Sequence, residues 1–334
     1  MSIRKWGAAA LSAVMIITGT GCGKRPSEPV SMSNFLLNTV VTVTLYDSSD
    51  SRILEGCMEL CREYEGKFSK TIETSEIYRL NHREAGTKEM EVSPETAELI
   101  RKGLYYSEIS DGAFDITIEP LSSLWDFKAE DPEIPDEKLL KQNAEKVNYK
   151  NIRIEGNTVE FLSDDVTIDL GAIAKGYIAD KIKEYLLEQN VRSAVINLGG
   201  NVLCVGRKPD GKPFKVGLQK PFKDHNEAAD IMALDDMSMV VSGVYERHFV
   251  KDGVNYHHIL NPKTGWPYEN GLTAVTIFSS ESVDGDGLST TCFSLGMEKG
   301  MELINSLDGI YAVFQTEDGN MYFSEGAKEL EWKD

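Results

Sequence analysis

From residue 193 onward the chain is cut into short apolar, β-branched runs at 193–198, 201–205, 214–219, 239–242, 248–250, 255–259 and 273–278. Runs this short, bounded by glycine, proline and polar residues, read as strands rather than helices. The first two are separated by Gly199-Gly200, the composition of a tight hairpin turn. The earlier half shows helical spacing instead, through Ile53, Cys57, Leu60, Cys61 and Tyr64 within 52–68 and through Ile178, Ile182 and Leu186 within 172–189. Another helix follows Ser93-Pro94, where Ser caps, Pro takes the first turn and Glu95 favours the dipole; it stops at Asp111-Gly112. Strands are also predicted at 35–46, 158–162 and 166–170, helices at 286–294 and 299–306, and a closing hairpin at 310–323. The acidic stretch 129–147 crosses the surface, with a short helix after Pro135-Asp136. The whole predicts an α+β chain with mixed or antiparallel sheets flanked by helices. No clean linker divides it, so one compact unit is expected, with two lobes left open.

The N-terminus is a separate segment. Arg4 and Lys5 precede an apolar run over 6–17, then Gly19, Thr20, Gly21 and Cys22, the layout of a secretion signal. The run is shorter than the roughly 20 residues that span a bilayer. The end of this segment resembles the lipobox of bacterial lipoproteins, with Gly19 where that motif usually has Leu. Cys22 would then be the first mature residue and carry a diacylglycerol. The expected division is a signal peptide over 1–21, a linker over 22–34 and a domain over 35–330, exported and anchored on the outer face of the cell membrane. With 35 basic and 54 acidic residues the net charge is -19, which argues against a nucleic-acid partner. Cys57, Cys61, Cys204 and Cys292 lack zinc or disulfide spacing and read as core.

Five clusters carry residue types suited to chemistry. In Asp111-Gly112-Ala113-Phe114-Asp115, glycine permits close approach to a planar ligand, Phe114 can stack and Asp115 can accept hydrogen bonds, although a helix stop uses the same residues. In 169–177, DLGAIAKGY, a strand end runs into a helix start. Free N–H groups there suit a pyrophosphate and Lys175 adds a cation, without a Walker or dinucleotide glycine pattern. Asn197-Leu198-Gly199-Gly200-Asn201 alone is a turn. Ser242-Gly243-Val244-Tyr245-Glu246-Arg247 leads to Tyr256-His257-His258, whose adjacent histidines face opposite sides of a strand; one can enter a site as general base, but they make a poor metal pair. In 284–291, DGDGLSTT, helical spacing puts Asp286, Ser289 and Thr290 on one face as hard oxygen donors suited to magnesium. An N-cap role for Asp284 or Asp286 would explain only one carboxylate.

These clusters, in this order, resemble the ApbE family, the FAD:protein FMN transferases, over nearly the whole mature chain. The matching segments are TSEIYRLN from Thr74, GAFDITIEPL from Gly112, DLGAIAKGYIAD from Asp169, INLGGN from Ile196, SGVYER from Ser242 and YHHILNPKTG from Tyr256. The resemblance implies a single T-fold-related domain in which Ala113, Phe114, Asp115, Asp169 and Lys175 line the FAD site, with His258 and Leu260 by the flavin or its phosphates. Leu37-Asn38-Thr39 stands where members often have Met-Gly-Thr, and Thr71 where they often have an aromatic, which puts Leu37 and Thr71 at the flavin too. Mg2+ is implied between the carbonyl of Ala172 and the side chains of Asp286 and Thr290, with Ser289 close by. The implied reaction moves the FMN half of FAD to a Thr or Ser hydroxyl of an exported redox protein and releases AMP, with His258 or Asp286 as base. Two alternatives stay open: water as acceptor, giving FMN and AMP, and a surface lipoprotein that binds flavin without chemistry.

Overall fold

The computed structural model describes residues 28–222 and 227–333. Its centre is one eight-stranded sheet of β1 (Val30–Leu36), β2 (Thr39–Leu45), β3 (Ser193–Leu198), β4 (Asn201–Gly206), β5 (Ser238–Gly243), β6 (Leu272–Ser279), β7 (Tyr311–Thr316) and β8 (Met321–Phe323). The strands lie side by side in sequence order, and every neighbouring pair is antiparallel. Antiparallel neighbours can be joined by tight turns. The long stretch between β2 and β3 is therefore an excursion laid over a simple meander.

Five main helices accompany the sheet: α1 (Ser51–Phe68), α2 (Pro94–Ile109), α3 (Ala174–Glu188), α4 (Ser282–Leu295) and α5 (Met297–Asn305). α1 packs on β1, β2 and α3; α3 packs on β3, β4 and α4; α4 packs on β5 and β6. The core between these helices and the sheet holds Val43, Ile196, Leu203, Ile277, Ile182 and Phe293. The opposite face is covered by the hairpin Phe214–Gln219 with Ala228–Leu234, over Val202, Cys204, Met239 and Phe278. Every residue of β3 and β6 is consequently buried, which is why those strands read as continuous apolar runs rather than alternating ones. A separate, largely aromatic cluster of Trp125, Phe249 and Leu260, with Phe127 and Tyr256 against it, lies apart from the main core.

Several expectations need correcting. The strand predicted over 35–46 is two strands: the chain reverses at Leu37 and Asn38, whose φ of 53° and 59° are those of a type I′ turn. Residues 30–34, expected as linker, pair with β2, so the ordered sheet begins before 35. No strand forms over 166–170. The Asn81 side chain takes the place of a neighbour there, accepting from Ile168 N–H at 2.7 Å and donating to Ile168 O at 2.8 Å. α4 begins at Ser282 rather than 286, and neither Asp284 nor Asp286 caps it. The N–H groups of Ser282 and Val283 donate instead to Asp180, at 2.7 and 2.8 Å. Cys57, Cys61, Cys204 and Cys292 are free and buried, as expected of core residues. Cys22 and the signal segment lie outside the described residues. Among the described residues no helix is long and apolar enough to cross a membrane.

Candidate active site

Asp286 lies in the second turn of α4, 4% exposed, where α4 meets the start of α3. Its Oδ2 accepts from Gly176 N–H at 2.6 Å, and its Oδ1 accepts from Asn201 Nδ2 at 3.0 Å. The helices approach this closely because residue 176 is glycine: a Cβ there would sit 2.2 Å from Ser282 O. Burial pushes the Asp286 carboxyl above its ordinary range, opposed by the Lys175 ammonium, the Asn201 amide and the Gly176 N–H.

Around this carboxylate the chain gathers oxygens. β5 runs past the start of β4, which brings Ser242 against α4, where its Oγ lies 2.8 Å from Ser289 Oγ and 3.0 Å from Thr290 Oγ1. Ala172 precedes α3, whose first intrahelical acceptor is the N-cap Ile173, so its carbonyl lies outside the helical ladder, and Gly176 N–H donates to Asp286. Ala172 is exposed, and no donor reaches its carbonyl among the described residues. The candidate donors thus comprise one buried carboxylate, hydroxyls and an exposed carbonyl; no group of three His, Cys, Asp or Glu suited to a metal occurs among the described residues. Such a set fits a hard ion completed by waters and phosphate oxygens and does not fit a softer metal. Of the predicted ligands, Asp286, Ser289 and Thr290 share α4, and Asp286 bonds to Gly176, four residues beyond Ala172.

The start of α3 is less open than its sequence suggested. Between Gly171 and Tyr177 only the N–H groups of Ala172 and Lys175 lack a protein acceptor among the described residues. The two histidines separate as their alternation requires. His257 is buried, with Nε2 3.0 Å from Tyr268 O and Nδ1 accepting from Ile259 N–H at 3.3 Å, and burial lowers its pKa to about 4. His258 is only partly buried, but its Nδ1 is sealed and has no partner. Burial, with the charges of Arg247 and Lys175 nearby, lowers its pKa to about 3. Its neighbour Lys175 also acts on Asp286, so both candidate bases share one cation.

The remaining predicted residues fall into two groups. Asp169 holds Lys70 Nζ at 2.9 Å, Ser122 Oγ at 2.8 Å and Gly171 N–H at 2.9 Å. Burial would raise its pKa, but Lys70 and these donors outweigh it, and the carboxyl lies below its ordinary range. Lys70 precedes Thr71, which is exposed on the loop after α1. Leu37, at the β1–β2 turn, donates its N–H to Glu65 Oε1 at 3.0 Å, near the end of α1. Asp115 is buried and accepts from Thr117 N–H, Thr117 Oγ1 and Tyr149 N–H at 2.7–2.9 Å. Phe114 is 5% exposed against Tyr106, and the Ala113 carbonyl accepts from Tyr268 OH at 3.0 Å. Leu260 is buried in the aromatic cluster. Phe114 and Leu260 are thus core side chains, whereas Thr71, Ala172, Lys175 and His258 reach the surface. Two clefts of about 230 and 200 Å³ share Lys102 in their linings, and none of the proposed ligands lines either of them. Lys102 is already paired there with Glu281 and Asp284.

The sequence reading missed Lys70, which pairs with Asp169 across a long sequence separation and carries no local signal. Asn201 and Ser242 stood inside recognised segments but read as turn and strand end.

Comparison with known proteins gives the family. The profile of the ApbE family matches residues 37–314. The FAD:protein FMN transferase of Klebsiella pneumoniae (strain 342) is 34% identical over 88% of this chain and 91% of its own. That of Treponema pallidum (strain Nichols) is 30% identical over 94% and 92%. Among solved structures, the ApbE protein of Thermotoga maritima superposes with a TM-score of 0.83 at 31% identity, over 92% of this chain and all of its own. The flavin transferase ApbE of Vibrio cholerae gives 0.82 at 27% identity, over 91% of this chain and all of its own. With sequence profile, relatives and fold in agreement over nearly the same residues, the chain belongs to the ApbE family.

Proposed function

We propose that this protein is an FAD:protein FMN transferase that moves the FMN half of FAD onto a Thr or Ser hydroxyl of an acceptor protein and releases AMP. The observation that carries the reading is the bond from Gly176 N–H to the buried Asp286 carboxylate, which joins two distant stretches of chain at the start of α3. Asp286, Thr290 and the Ala172 carbonyl would hold Mg2+, with Ser289 close by, and the ion would supply neutralisation of pyrophosphate charge. Lys175 adds a fixed positive charge at the start of α3. Asp169, kept ionised by Lys70, orders the loop that carries Thr71.

The acceptor hydroxyl attacks the FMN phosphorus, the bond from that phosphorus to the bridging oxygen breaks, and the bridging oxygen leaves with AMP. The hydroxyl proton goes to His258, which is neutral and only partly buried, while both Asp286 oxygens are engaged. Burial, together with Arg247 and Lys175, makes His258 a weak base in the free protein; dinucleotide phosphates beside Lys175 would offset the cationic part of that shift. The enzyme works outside the cytoplasmic membrane, held by lipid on Cys22.

The test incubates FAD, Mg2+ and an exported redox protein with the wild type and with Asp286→Ala, reading flavin fluorescence on the acceptor in a gel and AMP and FMN in solution. Labelled acceptor with matching AMP, lost in Asp286→Ala, is the expected result. Free FMN with unlabelled acceptor would assign hydrolysis instead, and FAD binding without AMP would assign a carrier.

A further inference from the structure

What holds Asp286 in place is a closed circuit of buried polar groups. An ionised carboxylate only accepts hydrogen bonds, so the amide of Asn201 must turn its NH2 toward Asp286. That contact is 3.0 Å and leaves Asn201 Oδ1 to accept from Ser282 Oγ at 2.8 Å. Ser282 is fixed in turn, its N–H donating to Asp180 at 2.7 Å. Asp180 belongs to α3, as does Gly176, whose N–H closes the circuit on Asp286. Asn201 is 1% exposed and Ser282 fully buried, so water does not compete for these bonds.

We infer that Asn201, oriented by Ser282, is a positioning residue that fixes the plane of the Asp286 carboxylate and so presents its remaining lone pairs to the cation in one orientation. This rests on the cation site proposed above. A carboxylate torsion is intrinsically broad. Two donors from different elements, the start of β4 and the start of α3, restrict it to one setting. Partners of this kind typically govern metal affinity by factors of about 10–100.

The experiment measures Mn2+ binding to the full-length protein with FAD by electron paramagnetic resonance, in the wild type, Asn201→Ala, Ser282→Ala and Asp286→Ala. Thermal unfolding and FAD affinity without metal are measured in parallel. Asn201→Ala should weaken Mn2+ binding about 10–100-fold. Its FAD affinity without metal should stay unchanged, and transfer should recover as Mg2+ is raised to saturation, which a merely structural lesion would not do. Ser282→Ala should weaken binding by a smaller factor, and it carries the test if Asn201→Ala does not fold. Wild-type Mn2+ affinity in both variants, with binding lost in Asp286→Ala, overturns the positioning role and leaves the cation site standing. Mn2+ binding that survives Asp286→Ala overturns the cation site and this inference with it.

Discussion

Replacing Gly176 by alanine tests the contact on which the site geometry depends. The new Cβ would lie 2.2 Å from Ser282 O, 2.6 Å from its carbonyl carbon and 2.7 Å from Val283 Cα, all backbone atoms that cannot swing aside. Ordinary contact distances require α3 and α4 to part by about 1 Å. Parting by that much stretches the 2.6 Å bond from Gly176 N–H to Asp286 beyond hydrogen-bonding range. Overpacking of this kind costs about 1–3 kcal/mol, and loss of a bond to a buried charged group about 1.5–3 kcal/mol. The gain in helix propensity returns about 1 kcal/mol, leaving a destabilisation of about 2–5 kcal/mol. At about 2 °C per kcal/mol for a domain of this size, Tm should fall by about 4–10 °C. Circular dichroism melting of wild type and variant reads this directly, and FMN transfer at a temperature where both are folded should fall as well. A variant that melts within 1 °C of the wild type and keeps its transfer rate would refute the tight apposition of α3 and α4.

Lys70→Met removes a partner from Asp169, whose side chain is 19% exposed, and should cost about 1–3 kcal/mol in urea unfolding while weakening FAD binding; unchanged stability and affinity would remove Lys70 from the site. His257 bears on pH dependence. Its pKa is depressed to about 4 in the fold, so the stability it contributes is complete above about 6.5 and is lost as pH falls toward 4. The stability advantage of the wild type over His257→Gln should therefore shrink between pH 6.5 and 4, and a difference constant over that window would contradict a neutral, buried imidazole. Cys22→Ser should move the protein from the membrane fraction to the soluble fraction of the exported compartment; retention with membranes would exclude the lipid anchor.

Local pattern was enough for most elements, because helices and strands leave periodic signatures in a short window. The 52–68 helix and most strands from 193 onward were legible for this reason, whereas the strand Ala228–Leu234 was not predicted. The hairpin at Leu37-Asn38 was not, because neither residue is the glycine that usually announces a left-handed turn, and the period-two pattern runs through it. The strand predicted over 166–170 failed for the opposite reason: its residues suit a strand, but Asn81 supplies the hydrogen bonds that a neighbour would have supplied.

The same division holds at the site. Sequence by itself determined which chemistry was available: the oxygen-bearing face of Asp286, Ser289 and Thr290, the glycine at 176, the paired histidines, and family membership through the order of the segments. Only the tertiary structure decided which groups act together. It buried Phe114 and Leu260, satisfied His257, left His258 Nδ1 without a partner, and spent Gly176 N–H on Asp286. These outcomes turn on contacts between residues far apart in the chain, and the strength of a buried hydrogen bond depends on surroundings that no local window contains.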